Sequence, residues 1–211
     1  MSIHRKYQDS KNEQKWATLL AMLPSELVAS MYGGRTDTTV GTAGAGVEES
    51  TNTADRGTYV TLLVFSNLVL GTPTAGGNTA HGALIYTFPT GAHVHLATWF
   101  SVGLTIGTVT TDTPDVGIGS AVGTGAQDLL SGVGATAEDY ITGQTWAVAL
   151  DGAVTEVGPL GATAGILTGI SLNKLADAKT VYLNAADGWA AGVTGNLTAS
   201  GLVVLLWTKM I

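Results

Sequence analysis

Residues 59–70 carry large apolar side chains at both odd and even positions, from Tyr59 and Val60 through Leu62, Leu63, Val64 and Phe65 to Leu68, Val69 and Leu70. Successive side chains of a strand point to opposite faces, so this run predicts a strand buried on both sides. Such a strand needs two covers, and one of them can be a neighbouring subunit. Further runs of strand length follow at 82–88, 92–106, 116–122, 140–150, 180–184 and 196–210. They are separated by turn signals such as Pro89-Thr90-Gly91. About eight strands with no alternating helix suggest an antiparallel β-sandwich or jelly roll. In 92–106, Val94, Leu96, Phe100, Val102, Leu104 and Ile106 are expected on one face. His93, His95, Ala97, Trp99, Ser101 and Thr105 then fall on the other, a solvent or subunit face. Leu62, Val64, Leu84, Tyr86, Val94, Leu96, Phe100, Val203 and Leu205 are the expected core. Single helical turns are expected at 126–130 and 172–176, and 152–169 reads as loop.

The composition agrees with an all-β chain. Glycine supplies 29 of 211 residues, and 12% of the chain is charged against 45% hydrophobic. That balance is neither disordered nor that of a highly charged surface. There is no cysteine, which removes disulfides and thiolate chemistry. The net charge of −7 argues against nonspecific nucleic-acid binding.

Charge divides the chain. Six of the nine basic residues, Arg5, Lys6, Lys11, Lys15, Arg35 and Arg56, precede Gly57, and none lies between Gly57 and Asn173. That stretch holds the acids Asp112, Asp115, Asp128, Glu138, Asp139, Asp151 and Glu156. We therefore expect two parts, an N-terminal arm over 1–56 and a β-sandwich body over 57–211. Within the arm, 14–31 has helical spacing, with Trp16, Leu19, Leu20, Leu23 and Leu27 near one face. Pro24 divides it into two short helices. The stretch 36–58 is rich in Gly, Thr and Ala, and reads as a linker or as an arm that orders against a partner. The start lacks a secretion pattern and no apolar run reaches membrane-spanning length, so a cytoplasmic site of synthesis and no membrane partner are expected.

Catalytic patterns are sparse. The glycine clusters at 41–46 and 117–123 miss the dinucleotide fingerprint and lie in no βαβ unit. No Gly-x-Ser-x-Gly elbow occurs. His93 and His95, with His81, have the i, i+2 spacing that puts two metal ligands on one strand face, without an evident third. Asp112 and Asp115 resemble half of a calcium loop or an acidic turn. Glu138-Asp139 is a carboxylate pair too close in sequence to flank a glycosidic bond. Asn196-Leu-Thr198 has the form of a glycosylation sequon. Neither metal, cofactor, small-molecule substrate nor enzymatic activity is expected. Trp99, Trp146, Trp189 and Trp207 serve either core packing or sugar stacking.

At Ala83-Leu-Ile-Tyr-Thr-Phe-Pro-Thr-Gly-Ala92 an apolar strand runs into Phe-Pro-x-Gly-Ala, followed by an alternating strand. Val181-Tyr-Leu-Asn184 and the closing strand through Trp207 complete a pattern that resembles the capsid decoration, or head cement, proteins of tailed bacteriophages, loosely over 57–210. The resemblance implies an all-β, jelly-roll-like body, a homotrimer, and a place on the virion surface with the major capsid protein as partner. It carries over no residue of 1–56. There the physical argument assigns the capsid or subunit contact to Trp16, Leu19, Leu20, Leu23 and Leu27, helped by Arg5 and Lys6. The competing reading is a glycan-binding or host-attachment module of a virion. A major capsid subunit fits less well, because the chain lacks a long spine helix.

Overall fold

The computed structural model describes residues 35–36, 41–54, 58–90, 93–108, 111–124, 130, 136–145, 150, 156–157 and 180–209. The helices expected within 14–31 and the turn at 172–176 lie outside these residues, as does the turn at 126–130 except for Leu130. Among the described residues the chain is all-β. Its strands are β1 (Arg35–Thr36), β2 (Thr42–Ala43), β3 (Val47–Ala54), β4 (Thr58–Gly71), β5 (Asn78–Thr87), β6 (His93–Thr105), β7 (Asp115–Gly119), β8 (Ile141–Thr145), β9 (Glu156–Val157), β10 (Thr180–Gly188) and β11 (Leu197–Lys209). They form two antiparallel sheets. One has the order β1-β3-β4-β11-β6-β9 and the other β2-β5-β10-β7-β8. Both sheets feed one core: Leu63, Phe65, Val102, Leu104, Val203 and Leu205 come from the first, and Ile85, Tyr86, Val116, Ile118, Val181 and Leu183 from the second.

Part of the stretch expected to be a linker is strand. β3 pairs with β4 from Val47 opposite Phe65 to Ala54 opposite Thr58. A strand on the outer side of a sheet can be held by backbone hydrogen bonds without large side chains of its own, which is why the composition hid it.

β-Bulges decide which side chains reach the core. In β4, Ser66 and Asn67 stand against the single residue Ser200. Asn67 takes a left-handed φ of 55° and donates its N–H to Ser200 Oγ at 2.9 Å. The extra residue switches parity, so Leu63 and Phe65 before it and Leu68 and Leu70 after it all enter the core. In β6, Leu96 is extra between His95, opposite Trp207, and Ala97, opposite Leu206. This overturns the expected facing of 93–96. His93 and His95 are buried, while Val94 and Leu96 are only partly so. A comparable shift beside Ile85 buries both Ile85 and Tyr86 and leaves Leu84 only partly buried. Of the expected core, Tyr86, Val203 and Leu205 lie in the cluster, and Phe100 packs against it. Leu62 is buried on the opposite face of its sheet, and Val64 is partly exposed.

Candidate functional site

The displaced histidines join an aromatic group at one end of the core. Phe88 lies 4.4 Å from the His93 ring, 5.2 Å from Tyr86 and 5.4 Å from Trp207, centroid to centroid. Trp207 stacks on Tyr59 at 4.4 Å. His95 meets the Tyr140 ring at 4.7 Å and pairs through Nε2 with Thr98 Oγ1 at 2.5 Å. Burial pushes the His95 imidazole down to about 4, with the neighbouring His93 adding to the shift against a backbone contact at Ala97. The ring is therefore neutral at physiological pH. Burial likewise raises the Tyr86 and Tyr140 hydroxyls.

Beside this group runs a row of hydroxyls. Thr51 Oγ1 and Thr61 Oγ1 are 2.9 Å apart, Trp207 Nε1 donates to Thr61 Oγ1 at 3.0 Å, and Thr51 Oγ1 donates to Glu49 at 2.7 Å. Burial raises the Glu49 carboxyl. The row gives partners to polar atoms that the strands carry inside, as a buried network must. His95 with Thr98 has the atoms of a base and a hydroxyl nucleophile. Yet the two are 1% and 3% exposed, so no substrate reaches the oxygen.

The carboxylates singled out in the sequence tie down loops. Asp112 Oδ1 accepts the Ala190 N–H at 2.8 Å, and Asp115 Oδ2 that of Leu130 at 3.3 Å. Asp187, which sequence reasoning missed, accepts from its neighbour Gly188 at 2.7 Å. Burial, followed by the charges of Asp112 and Asp115, pushes Asp187 up to about 6. Asp139 accepts from Ser120 N–H and Oγ at 2.6 and 2.7 Å, and Glu138 from Gly143 N–H at 2.9 Å. Neither is paired with the other across a cleft. His81 sits apart from the other two histidines, its ring 6.3 Å from Trp189 and its Nε2 3.0 Å from Thr79 Oγ1. Among the described residues, no three His, Cys, Asp or Glu side chains are placed to hold a metal ion.

Asn184, named in the sequence only as the end of a motif, has a structural role that the sequence reading did not assign. Its Oδ1 accepts from Gly123 N–H at 2.8 Å, and its Nδ2 donates to the carbonyls of Ala121 at 3.1 Å and Ala137 at 2.7 Å. One fully buried amide thus ties the loop after β7 to β10. A lone Asn in the apolar run Val181 to Ala186 is the signal that could have found it. The first glycine cluster serves close approach: Gly41, with φ +90°, lies so near the Tyr86 ring that a Cβ would overlap its hydroxyl.

Trp99, Trp189 and Trp207 are buried and give no open ring face, while Trp146 lies outside the described residues. The arm residues Arg5, Lys6, Trp16, Leu19, Leu20, Leu23 and Leu27 also lie outside them. No protein-family model matches the chain, and no curated protein or solved structure is found to be similar to it.

Proposed function

We propose that this chain is a structural virion protein that decorates and stabilises the capsid of a tailed bacteriophage. It has a jelly-roll β-sandwich body, assembles as a homotrimer, and binds the major capsid protein through its arm and body. The observation that carries this reading is the strand pairing. β4 pairs with β11, β5 with β10, β6 with β9 and β7 with β8. Successive pairs alternate between the two sheets, which is what a long eight-stranded hairpin gives when it is rolled up. That is the logic of the jelly roll, a fold that recurs in viral capsid proteins and also in lectins and cupins.

The chemistry favours the first of these hosts. The described polar side chains singled out as chemical candidates, apart from the sequon and His81, pack against the core or pin loops, and three tryptophans that a glycan site would use are buried. A body with few charged residues suits a partner met by shape and many repeated contacts, since modest interfaces act together when multiplied over a shell. Arg5 and Lys6 complement an acidic shell surface. Mass spectrometry of purified particles of the phage that supplies the chain tests the proposal. The chain should appear in numbers comparable with the major capsid protein. Its absence from particles that contain that protein would refute the reading.

A further inference from the structure

The chain changes sheets between β2 and β3. β2 pairs with β5 in the five-stranded sheet, Thr42 opposite Thr87 and Ala43 opposite Tyr86, and β3 pairs with β4 in the six-stranded one. Only residues 44–46 separate the two strands. Gly44 N–H donates to the Ile85 carbonyl at 3.1 Å, Val47 N–H donates back to the Gly44 carbonyl at 3.1 Å, and Gly46 takes a left-handed φ of 78°. A Cβ on Gly44 would overlap the Leu84 carbonyl oxygen. Segment 41–54 thus crosses one side of the sandwich and is fastened to both sheets.

What the segment covers is polar. Glu49 stands opposite Leu63, Thr51 opposite Thr61, and Thr61 opposite Leu205, so Glu49, Thr51 and Thr61 share the inner face with two core residues. Thr51 and Thr61 are joined at 2.9 Å, and Thr51 donates to Glu49, whose carboxyl also meets the Ala43 backbone. From the other sheet the Tyr86 hydroxyl reaches the same two threonines. Apolar burial adds little: of 41–51 only Gly44 and Thr51 are buried, and Val47 packs against the core while partly exposed. Backbone and polar bonds with few buried apolar contacts mark the part of a fold that opens first. β4 and β5 each have a second partner, β11 and β10, that does not depend on this segment. β1 pairs with β3 and so belongs with it.

We propose that 41–54 is a strap that opens as one unit, together with β1, while the rest of both sheets stays folded. Gly44 and the Glu49–Thr51 pair are its fastenings. Opening uncovers the edge of β4 and the row formed by Thr61, Tyr86 and Trp207 Nε1, and leaves the apolar core between the sheets in place. Through β1 the strap also decides whether the chain next to Arg35 is tied to this sheet edge. The assignment does not rest on the virion reading, and its test involves no capsid, so the two fail or succeed separately.

Native-state hydrogen exchange on the unmodified full-length chain is the first test. The hydrogen-bonded amides of Gly44, Val47 and β3 should exchange with one common opening constant, about tenfold or more above that of β11. Exchange of β3 only at the β11 rate, or residue by residue without a common constant, would overturn the proposal. The second test uses a thiol, which reports cleanly because the chain has no cysteine. Thr61→Cys lies beneath the strap and Val203→Cys in the core, and both positions are fully buried in the closed form. Adding Gly44→Ala, which unseats the crossing, should speed maleimide labelling of Thr61→Cys about tenfold or more, while Val203→Cys in the same background stays slow. If both thiols speed up together the strap is not a separate unit, and if neither does it is not fastened at Gly44; either result would overturn the proposal.

Discussion

His95 and Asp187 are both shifted by burial, and the two bias the stability in opposite directions as the solution acidifies. An unfolded chain protonates His95 near 6.5, whereas the folded chain holds it neutral down to about 4. Between those values the unfolded state binds the extra proton, so folding loses about 3 kcal/mol from this residue as pH falls, and nothing above 6.5. Asp187 runs the other way, because its folded carboxyl takes a proton near 6 and its unfolded one near 3.8. It contributes stability as pH falls through that window, though its partial exposure screens the effect. Denaturant melts from pH 7 to 4 should show His95→Gln gaining stability relative to the parent in acid, and Asp187→Asn losing it. Parallel curves for all three proteins would contradict these assignments. Asn184 concerns hydrogen bonds alone. Asn184→Ala leaves one N–H and two carbonyls without their partner and should cost about 3 kcal/mol in a urea melt. A change below about 0.5 kcal/mol would show that water replaces the amide.

At the scale of the element, the long strands were legible and their facing was not. The apolar runs located β4, β6 and β11 to within one or two residues, because period and turn residues act locally. The bulges at Leu96, Asn67 and Ile85 were hidden, because an extra residue is set by the partner strand, and each one inverts every side chain beyond it. His93 and His95 thus moved together from an expected outer face to the core side of the sheet. β3 was missed for the complementary reason, since its stability comes from β4. Gly201 shows how closely these strands are fitted. It holds φ +150° against β6, where a Cβ would stand 2.2 Å from the Ser101 carbonyl oxygen. Gly201→Ala should therefore cost about 2–3 kcal/mol by backbone strain and overlap. An unchanged thermal midpoint would mean that β11 can shift at that point.

For the whole molecule, the sequence supplied the all-β class and the described structure supplies two sheets around one core. The pairing of strands distant in sequence, β4 with β11 and β5 with β10, was not legible, because no local pattern specifies a partner more than a hundred or so residues away. The candidate chemistry was legible only as residue types. Hydrogen bonds then assigned Asp112, Glu138 and Asp139 to loops, and burial assigned His93 and His95 to packing. Static light scattering at micromolar concentration should return three times the chain mass, and a stable monomer would remove the trimer from the account.

The central claim is that the chain stabilises a shell, and heating the shell tests it most directly. Tailed-phage heads lacking the chain should release DNA at a lower temperature than the same heads saturated with purified full-length protein. The difference should grow with added protein and then level off as the sites fill. Heads that release DNA at the same temperature with and without the protein, at concentrations well above those used for the light scattering, would contradict the account.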